Sequence, residues 1–242
     1  MASAADRYIR ILERIDQAAR RAGRNPQDIV LVAVTKTVSL DKVLPLLKAG
    51  VHHIGENRVQ EALSKWPVTR DSWPEKPTFH LIGPLQSNKA KKAVGFFDLI
   101  QSVDRLNLAQ DIDRHAQVVG KKQNCLIEVK ISPEPTKSGL DPKRLGEFLT
   151  QLQGLQNLEV RGLMGIPPLS ATGEEARPFF RQLKKLFDQA CHLQQATGHG
   201  SRATFNILSM GMSSDFEIAI EEGSTMVRLG AALFGSRPKS ML

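Results

Sequence analysis

Apolar positions in the first segment alternate at spacings of four and three, through Tyr8, Leu12, Ile15, Ala19 and Ala22. That is the stripe of an amphipathic helix, and Gly23 followed by Asn25-Pro26 ends it. Residues 29–34 form a continuous apolar run, rich in β-branched side chains and too short for a helix, with Thr35-Lys36 directly behind it. This reads as a buried strand ending in a lysine. The same alternation then recurs. Further strands are predicted at 51–54, 79–82, 99–103, 125–131, 160–164, 204–208 and 226–229. Helices are predicted after Thr35-Lys36 through Val43 to Leu47, from Glu56, over 89–94, 106–119 and 142–152, through Phe179 to Leu193, and around 216–220. Alternating strand and helix means a parallel sheet, and eight such units in this length predict a closed (β/α)8 TIM barrel with an extra N-terminal helix. The open doubly wound sheet is the alternative, but no GxGxxG turn follows the first strand. The Trp- and Pro-rich stretch 66–77 joins neighbouring units, so one domain over 1–242 is expected.

In such a barrel the functional face lies at the C-terminal ends of the strands. Lys36, Gly55-Glu56-Asn57, Gly83, Gln86, Lys137-Ser138-Gly139, Gly165-Ile166-Pro167, residues 209–213 and Arg228-Leu229-Gly230 all fall there. The loop 208–215 brings glycine and serines to a helix start, where unpaired N–H groups and the helix dipole favour an anion. It reads equally as a plain N-cap by Ser213 or Ser214. Lys36 reads either as a solvated lysine at a strand end or as a partly desolvated amine available as a nucleophile. A lysine and a phosphate site across one barrel mouth suit a phosphorylated carbonyl compound; pyridoxal phosphate fits, and so does a phosphosugar in a Schiff-base aldolase.

Composition narrows the field. The 242 residues are 41% hydrophobic and 24% charged, the balance of a globular chain. The two cysteines, Cys125 and Cys191, lack any CxxC or Cys/His neighbourhood, so neither a disulfide framework nor a structural zinc site is expected, and the default home is the reducing cytoplasm. The formal charge of +8 invites an anionic partner, yet aromatics are 5% and no basic run is threaded with them, so nucleic acid is not expected. No apolar run approaches the roughly 18 residues of a membrane span, and Asp6, Glu13 and Asp16 occupy the place of a signal peptide's apolar centre. A soluble monomer is expected, with no metal. His80 and the His52-His53 pair, in or beside short strands, read as structural histidines, and a His/His metal site is not expected, since adjacent strand residues point to opposite faces.

The segments AVTK (33–36), HHIGENRVQEA (52–62), HLIGPLQSNK (80–89), KSGL (137–140), RGLMGIP (161–167) and LSMGMSSDFEIAIEEGSTMVRLGAALFG (208–235) resemble the pyridoxal phosphate homeostasis protein family, a single-domain relative of the alanine racemase N-terminal barrel. The resemblance implies pyridoxal 5'-phosphate as cofactor, held as a Schiff base on Lys36. It implies a phosphate cup from Ser209, Gly211, Gly230 and Thr225, an Arg228 contact to the pyridine nitrogen, and a pocket lined by Asn57 and Met164. Lys130 departs from the asparagine found in many members, and Lys137 is a second amine near the mouth. The racemase mechanism uses a lysine and a tyrosine on opposite substrate faces. The only tyrosine here is Tyr8, on the core stripe of the first helix, and the second domain of a racemase is not expected. An arginine beside the pyridine nitrogen also weakens the electron sink. The expected role is therefore cofactor storage or delivery to apo-enzymes in intracellular vitamin B6 and amino-acid homeostasis, with a racemase as the alternative and an aldolase behind it. No catalytic residue is assigned.

Overall fold

The structure, a computed structural model, describes residues 3–66, 76–134, 137–196 and 204–235. Eight parallel strands close into a barrel in sequence order: β1 (Val30–Val34), β2 (His53–Glu56), β3 (Thr78–Leu81), β4 (Leu99–Val103), β5 (Gln123–Glu128), β6 (Leu158–Met164), β7 (Ile207–Ser209) and β8 (Met226–Leu229). Between them run α2 (Leu40–Lys48), α3 (Val59–Lys65), α4 (Ala90–Phe96), α5 (Leu106–Val118), α6 (Leu145–Leu152), α7 (Arg177–Ala196) and α8 (Phe216–Glu221), with α1 (Ala4–Arg21) before the barrel and α9 (Ala231–Phe234) after it. The predicted fold class holds, and the spans 99–103 and 226–229 are met to the residue. Of the stretch 66–77, residues 67–75 lie outside those described.

Strand alternation sorts the side chains into two cores. Outward residues such as Ala33, Ile54, Phe79, Ile100, Leu163 and Val227 join one cluster with the helix faces. Its largest members include Trp66, Phe79, Phe97 and Phe180, all fully buried. Burying each such ring is worth roughly 2–3 kcal/mol, and the Trp66 and Phe79 rings meet edge to face at 5.1 Å. Inward residues Val32, Leu99, Leu126, Met164 and Met226 form a smaller apolar layer. Buried polar side chains share that interior: His80, Gln101, Glu128, Ser209 and Arg228.

The added helix straps the ends of the barrel together. A Ser3/Asp6 capping box starts α1, and Tyr8, Ile11, Ile15, Ala18 and Ala19 form its buried face. Leu12, assigned to the stripe from spacing, is 41% exposed, because the 3.6-residue turn brings Ile11 inward instead. The polar edge of α1 and the turn after it bind the C-terminal units: Arg7 Nε donates to Leu233 O at 2.5 Å, Arg14 pairs with Glu217 and Arg21 with Glu221, and Arg24, beyond the helix, donates to Ile220 O and Ser224 O. Much of the basic excess of α1 is thus engaged by the acidic edge of α8.

Elsewhere the structure moves boundaries. The second strand starts at His53, two residues later than predicted, and ends in Glu56. The fifth stops at Glu128, beyond which Val129 bridges only Leu140. The seventh is confined to Ile207–Ser209.

Candidate functional site

Two adjacent strands define the C-terminal mouth. β1 and β8 pair through Val32 with Arg228 and Ala33 with Leu229, so the loop carrying Lys36 rises beside the one carrying Gly230. Lys36 is half-buried in the turn after β1. Its successor Thr37 adopts φ +59°, a left-handed conformation that β-branched residues avoid. Neighbouring groups hold that strain in place. The Thr37 amide donates to the Glu61 carboxylate. Lys65 Nζ donates to Thr35 O at 2.6 Å and to Glu56 Oε1 at 2.9 Å. Glu56, fully buried at the end of β2, also accepts from the Thr35 hydroxyl at 2.6 Å and from Trp66 Nε1 at 3.1 Å. The lysine turn is therefore pinned from β2 and α3 by two carboxylates, Glu56 and Glu61.

Loops two and three pack closely beside it. A side chain at Gly83 would stand 2.4 Å from Asn57 O, so only glycine allows the contact. This fixes Asn57, half-buried, next to the Lys36 turn.

Arg228 is the opposite anchor. Its guanidinium is buried, donating from Nη1 to Ser209 Oγ at 2.6 Å and from Nη2 to Gly165 O at 3.1 Å. Desolvation lowers its pKa to about 10, against the support of Glu128 and Asp215, so it remains a cation at neutral pH. In the loop after β7, Gly211 holds φ +96° and lies so close to α8 that a Cβ would meet that of Ala219 at 2.5 Å. Gly211 O accepts from Arg228 N. Asp215 accepts from the Met212 amide at 2.6 Å and the Ser214 hydroxyl at 3.2 Å, and Ser213 Oγ accepts from Ala232 N, tying loops seven and eight together. The N-cap of α8 is Asp215, so neither Ser213 nor Ser214 has the capping position that the sequence suggests. The first-turn N–H groups of α8 and α9 have no partners within their own helices.

From Arg228 a chain of hydrogen bonds descends through the barrel. Ser209 Oγ donates to Gln101 Oε1 at 2.7 Å, Gln101 Nε2 lies 3.0 Å from His80 Nδ1, and His80 Nε2 lies 2.9 Å from His53 Nδ1. With the Gln101 carbonyl toward Ser209, its amide toward His80, and both histidines neutral, each link has one donor direction. Ser209 accepts from Arg228 and passes its own proton to the Gln101 carbonyl. The Gln101 amide then donates to His80 Nδ1, and His80 donates through Nε2–H to His53. Fully satisfied buried networks of this kind rigidify a core.

Two corrections follow. Thr225 sits before β8, at the amino-terminal end, where its hydroxyl accepts from Leu208 N and donates to Asn206 O; parallel strands separate it from the mouth by the length of β8. The Ser209 hydroxyl is turned inward onto Arg228 and Gln101, so what it does in this structure is orient the arginine. Met164 faces the interior beneath the mouth, and Gly230 stands over Val34, where a Cβ would make only an ordinary 3.5 Å contact.

Sequence reading passed over Glu128, Gln101 and Asp215. Glu128 ends β5 facing inward, and burial together with Asp104 raises its pKa to about 7, while Arg228 and Lys137 pull the other way. Lys137 thus stands within electrostatic reach of the mouth, 3.8 Å from Glu134. The hint available in the sequence was an acid in an apolar strand, at the position where strands carry function. His80, fully buried, has its pKa lowered to about 3 by desolvation, and burial lowers that of His53.

These shifts give a stability profile with two slopes. Between about pH 3 and 6.5 the unfolded chain binds a proton that native His80 refuses, so stability falls as pH drops through that window. Between about 4.5 and 7 native Glu128 keeps a proton that the unfolded chain has released, so its contribution falls as pH rises. Denaturant melts across pH should show Glu128→Gln losing the second slope; an unchanged slope would contradict the buried, protonated carboxyl.

Among the described residues no group of three or more His, Cys, Asp or Glu could hold a metal, and no helix is long and apolar enough to cross a membrane. Cys125 and Cys191 are both buried, and burial pushes the Cys125 pKa up, away from reactivity.

The family described as alanine racemase, N-terminal domain, matches residues 9–238, so the chain belongs to that class. Closer relatives refine the assignment. The pyridoxal phosphate homeostasis protein of Aquifex aeolicus is 42% identical, covering 97% of this chain and 99% of its own length, and that of Escherichia coli K12 is 37% identical over 95% of each. The chain belongs to the pyridoxal phosphate homeostasis protein family. Among solved structures, PipY of Synechococcus elongatus with PLP bound is 40% identical, with a TM-score of 0.78 over 92% of this chain and 100% of PipY. Alanine racemase of Clostridium difficile shares the fold alone, at 16% identity and TM-score 0.67, this chain covering 56% of it.

Proposed function

We propose that this protein binds pyridoxal 5'-phosphate at the carboxyl-terminal mouth of its barrel and serves as a cytoplasmic, monomeric store or donor of the cofactor in vitamin B6 and amino-acid homeostasis. The observation that carries this reading is the placement of a buried, donor-only Arg228 one strand from the strained Lys36 turn. Such a pair suits a ligand with an unprotonated ring nitrogen and an aldehyde. Lys36 would hold the cofactor as a Schiff base; the amides at the head of α8 and beside Gly230 would take the phosphate; Asn57 and Met164 would line the walls. The bound group would supply an aldehyde carbon and an electron-accepting ring.

The chain's own residues favour holding over turnover. Arg228 cannot accept a proton from the ring nitrogen, and it is fixed by Ser209 and Gly165 O rather than free to exchange with an acid. Tyr8, the only tyrosine, donates its hydroxyl to Gly50 O at 3.2 Å on the packed face of α1. No tyrosine therefore stands opposite Lys36. Apo-enzymes that use pyridoxal phosphate are the proposed recipients.

The test is solvent exchange. Cofactor-loaded protein incubated with D- and L-alanine in deuterated water is expected to incorporate α-deuterium no faster than free pyridoxal phosphate does. Exchange at enzymatic rates, about 1 s⁻¹ or more, would establish a racemase-like enzyme instead.

A further inference from the structure

The end of the barrel remote from Lys36 carries a cavity of about 340 Å³, at the lower end of the roughly 300–1,000 Å³ range of small-molecule sites. Its floor is apolar, with Leu99, Ile207 and Met226, and its walls are polar. Asp28 and Asp98, before β1 and β4, supply anionic groups, and Arg161 on β6 supplies the cation. Arg161 reaches Glu159 only through Nη1, at 3.1 Å; its Nε is buried with no hydrogen-bond partner. The Arg161 side chain is 28% exposed, so its outer N–H groups, rather than the enclosed Nε, are open to an anionic group arriving in the cavity. His53 also lines it. With Nδ1 accepting from His80, the proton of neutral His53 resides on Nε2, the nitrogen left to the cavity.

The geometry points to a second ligand site at the amino-terminal mouth, taking a small zwitterion of amino-acid size, its ammonium toward Asp28 and Asp98 and its carboxylate toward Arg161 and His53. Acid and base stand on different walls. Strands lie about 4.8 Å apart, and the Asp98 and Arg161 strands are separated by one other. A molecule bearing both charges a few bonds apart therefore satisfies the cavity better than a single ion.

The site is connected to the opposite mouth. His53 is the last member of the chain that begins at Arg228, and every link has one donor direction. A carboxylate accepting from His53 Nε2–H holds that direction in place. A group that instead donated to Nε2 would force the His53 proton onto Nδ1 and oppose His80, reversing the links up to Ser209, whose hydroxyl would have to turn away from Gln101.

The experiment uses glycine, β-alanine and 4-aminobutyrate, a ladder of charge separation, against acetate and methylammonium, with ¹⁵N-histidine spectra of the full-length, cofactor-free protein as the readout. Saturable shifts of the His53 and His80 signals by at least one zwitterion are expected, with the single ions at least about tenfold weaker. Arg161→Gln should weaken binding at least about tenfold, and Asp98→Asn should do likewise while retaining an acceptor for the Phe79 amide. Thermal melts confirm that the variants are folded, and the wild-type spectra decide the matter if they are not. No His53 shift with any of the three at about 10 mM, or equal effects of acetate or methylammonium, would overturn the site. The occupancy claim is independent of the cofactor reading. Only the coupling rests on it: the visible spectrum of pyridoxal phosphate-loaded protein is expected to shift on zwitterion binding, and a binding isotherm with no such shift would overturn the coupling and leave both the site and the cofactor reading standing.

Discussion

Replacing Lys36 by alanine should abolish covalent retention of pyridoxal phosphate. The wild-type protein, mixed with the cofactor and desalted, should elute yellow, and the variant colourless, a loss of at least about a hundredfold in apparent affinity. The reasoning is local. Lys36 is the amine held in a strained turn, half-buried, in the loop that follows β1, the strand paired with that of Arg228. Lys137 is the other amine near the mouth, but its contact is with Glu134 on the fifth loop. A variant that stays yellow would move the attachment there and separate the covalent site from the arginine that gives the mouth its polarity.

Glu56→Ala is expected to destabilise the protein by about 3–5 kcal/mol, because it removes the nearer of the two carboxylates that compensate a nearly buried ammonium. Lys65 is only 12% exposed and would keep only its longer 3.3 Å pair with Glu61, while the Thr35 hydroxyl and Trp66 N–H would lose their acceptor. For a chain of this size the melting temperature should fall by roughly 10 °C. The effect should reach function as well, since the same carboxylate holds Lys65 beneath the Lys36 turn. Glu56→Gln, which keeps an acceptor for Thr35 and Trp66, should recover part of the loss. A change below about 1 kcal/mol in the alanine variant, the scale of an exposed ion pair, would mean that the network does not secure the turn.

The barrel was legible because its strands are short apolar runs separated by helices with regular stripes, and periodicity survives averaging over many residues. The lysine and arginine of the mouth were legible for a related reason: strand ends in a parallel barrel converge, so position puts Lys36 and Arg228 among the mouth residues, and the family resemblance gives each its proposed role. What stayed hidden depends on orientation. Ser209 looked like a phosphate ligand because it opens a glycine-serine loop; its inward rotation onto Arg228 follows from the pleat of β7, which the sequence leaves ambiguous for a three-residue strand. Thr225 was drawn to the mouth by its nearness in sequence to Arg228, although the length of β8 puts it at the other end. The polar axis was unreadable for a deeper reason. Gln101, His80 and His53 lie on three different strands, and only closure of the barrel makes them neighbours.

The most direct test of the central claim is to load the protein with pyridoxal phosphate, reduce it with borohydride, digest it and locate the phosphopyridoxyl group by mass spectrometry. The group is expected on Lys36, at close to one per chain. Labelling of Lys137 or a scatter over surface lysines, with Lys36 unmodified, would contradict the assignment of the carboxyl-terminal mouth as the cofactor site.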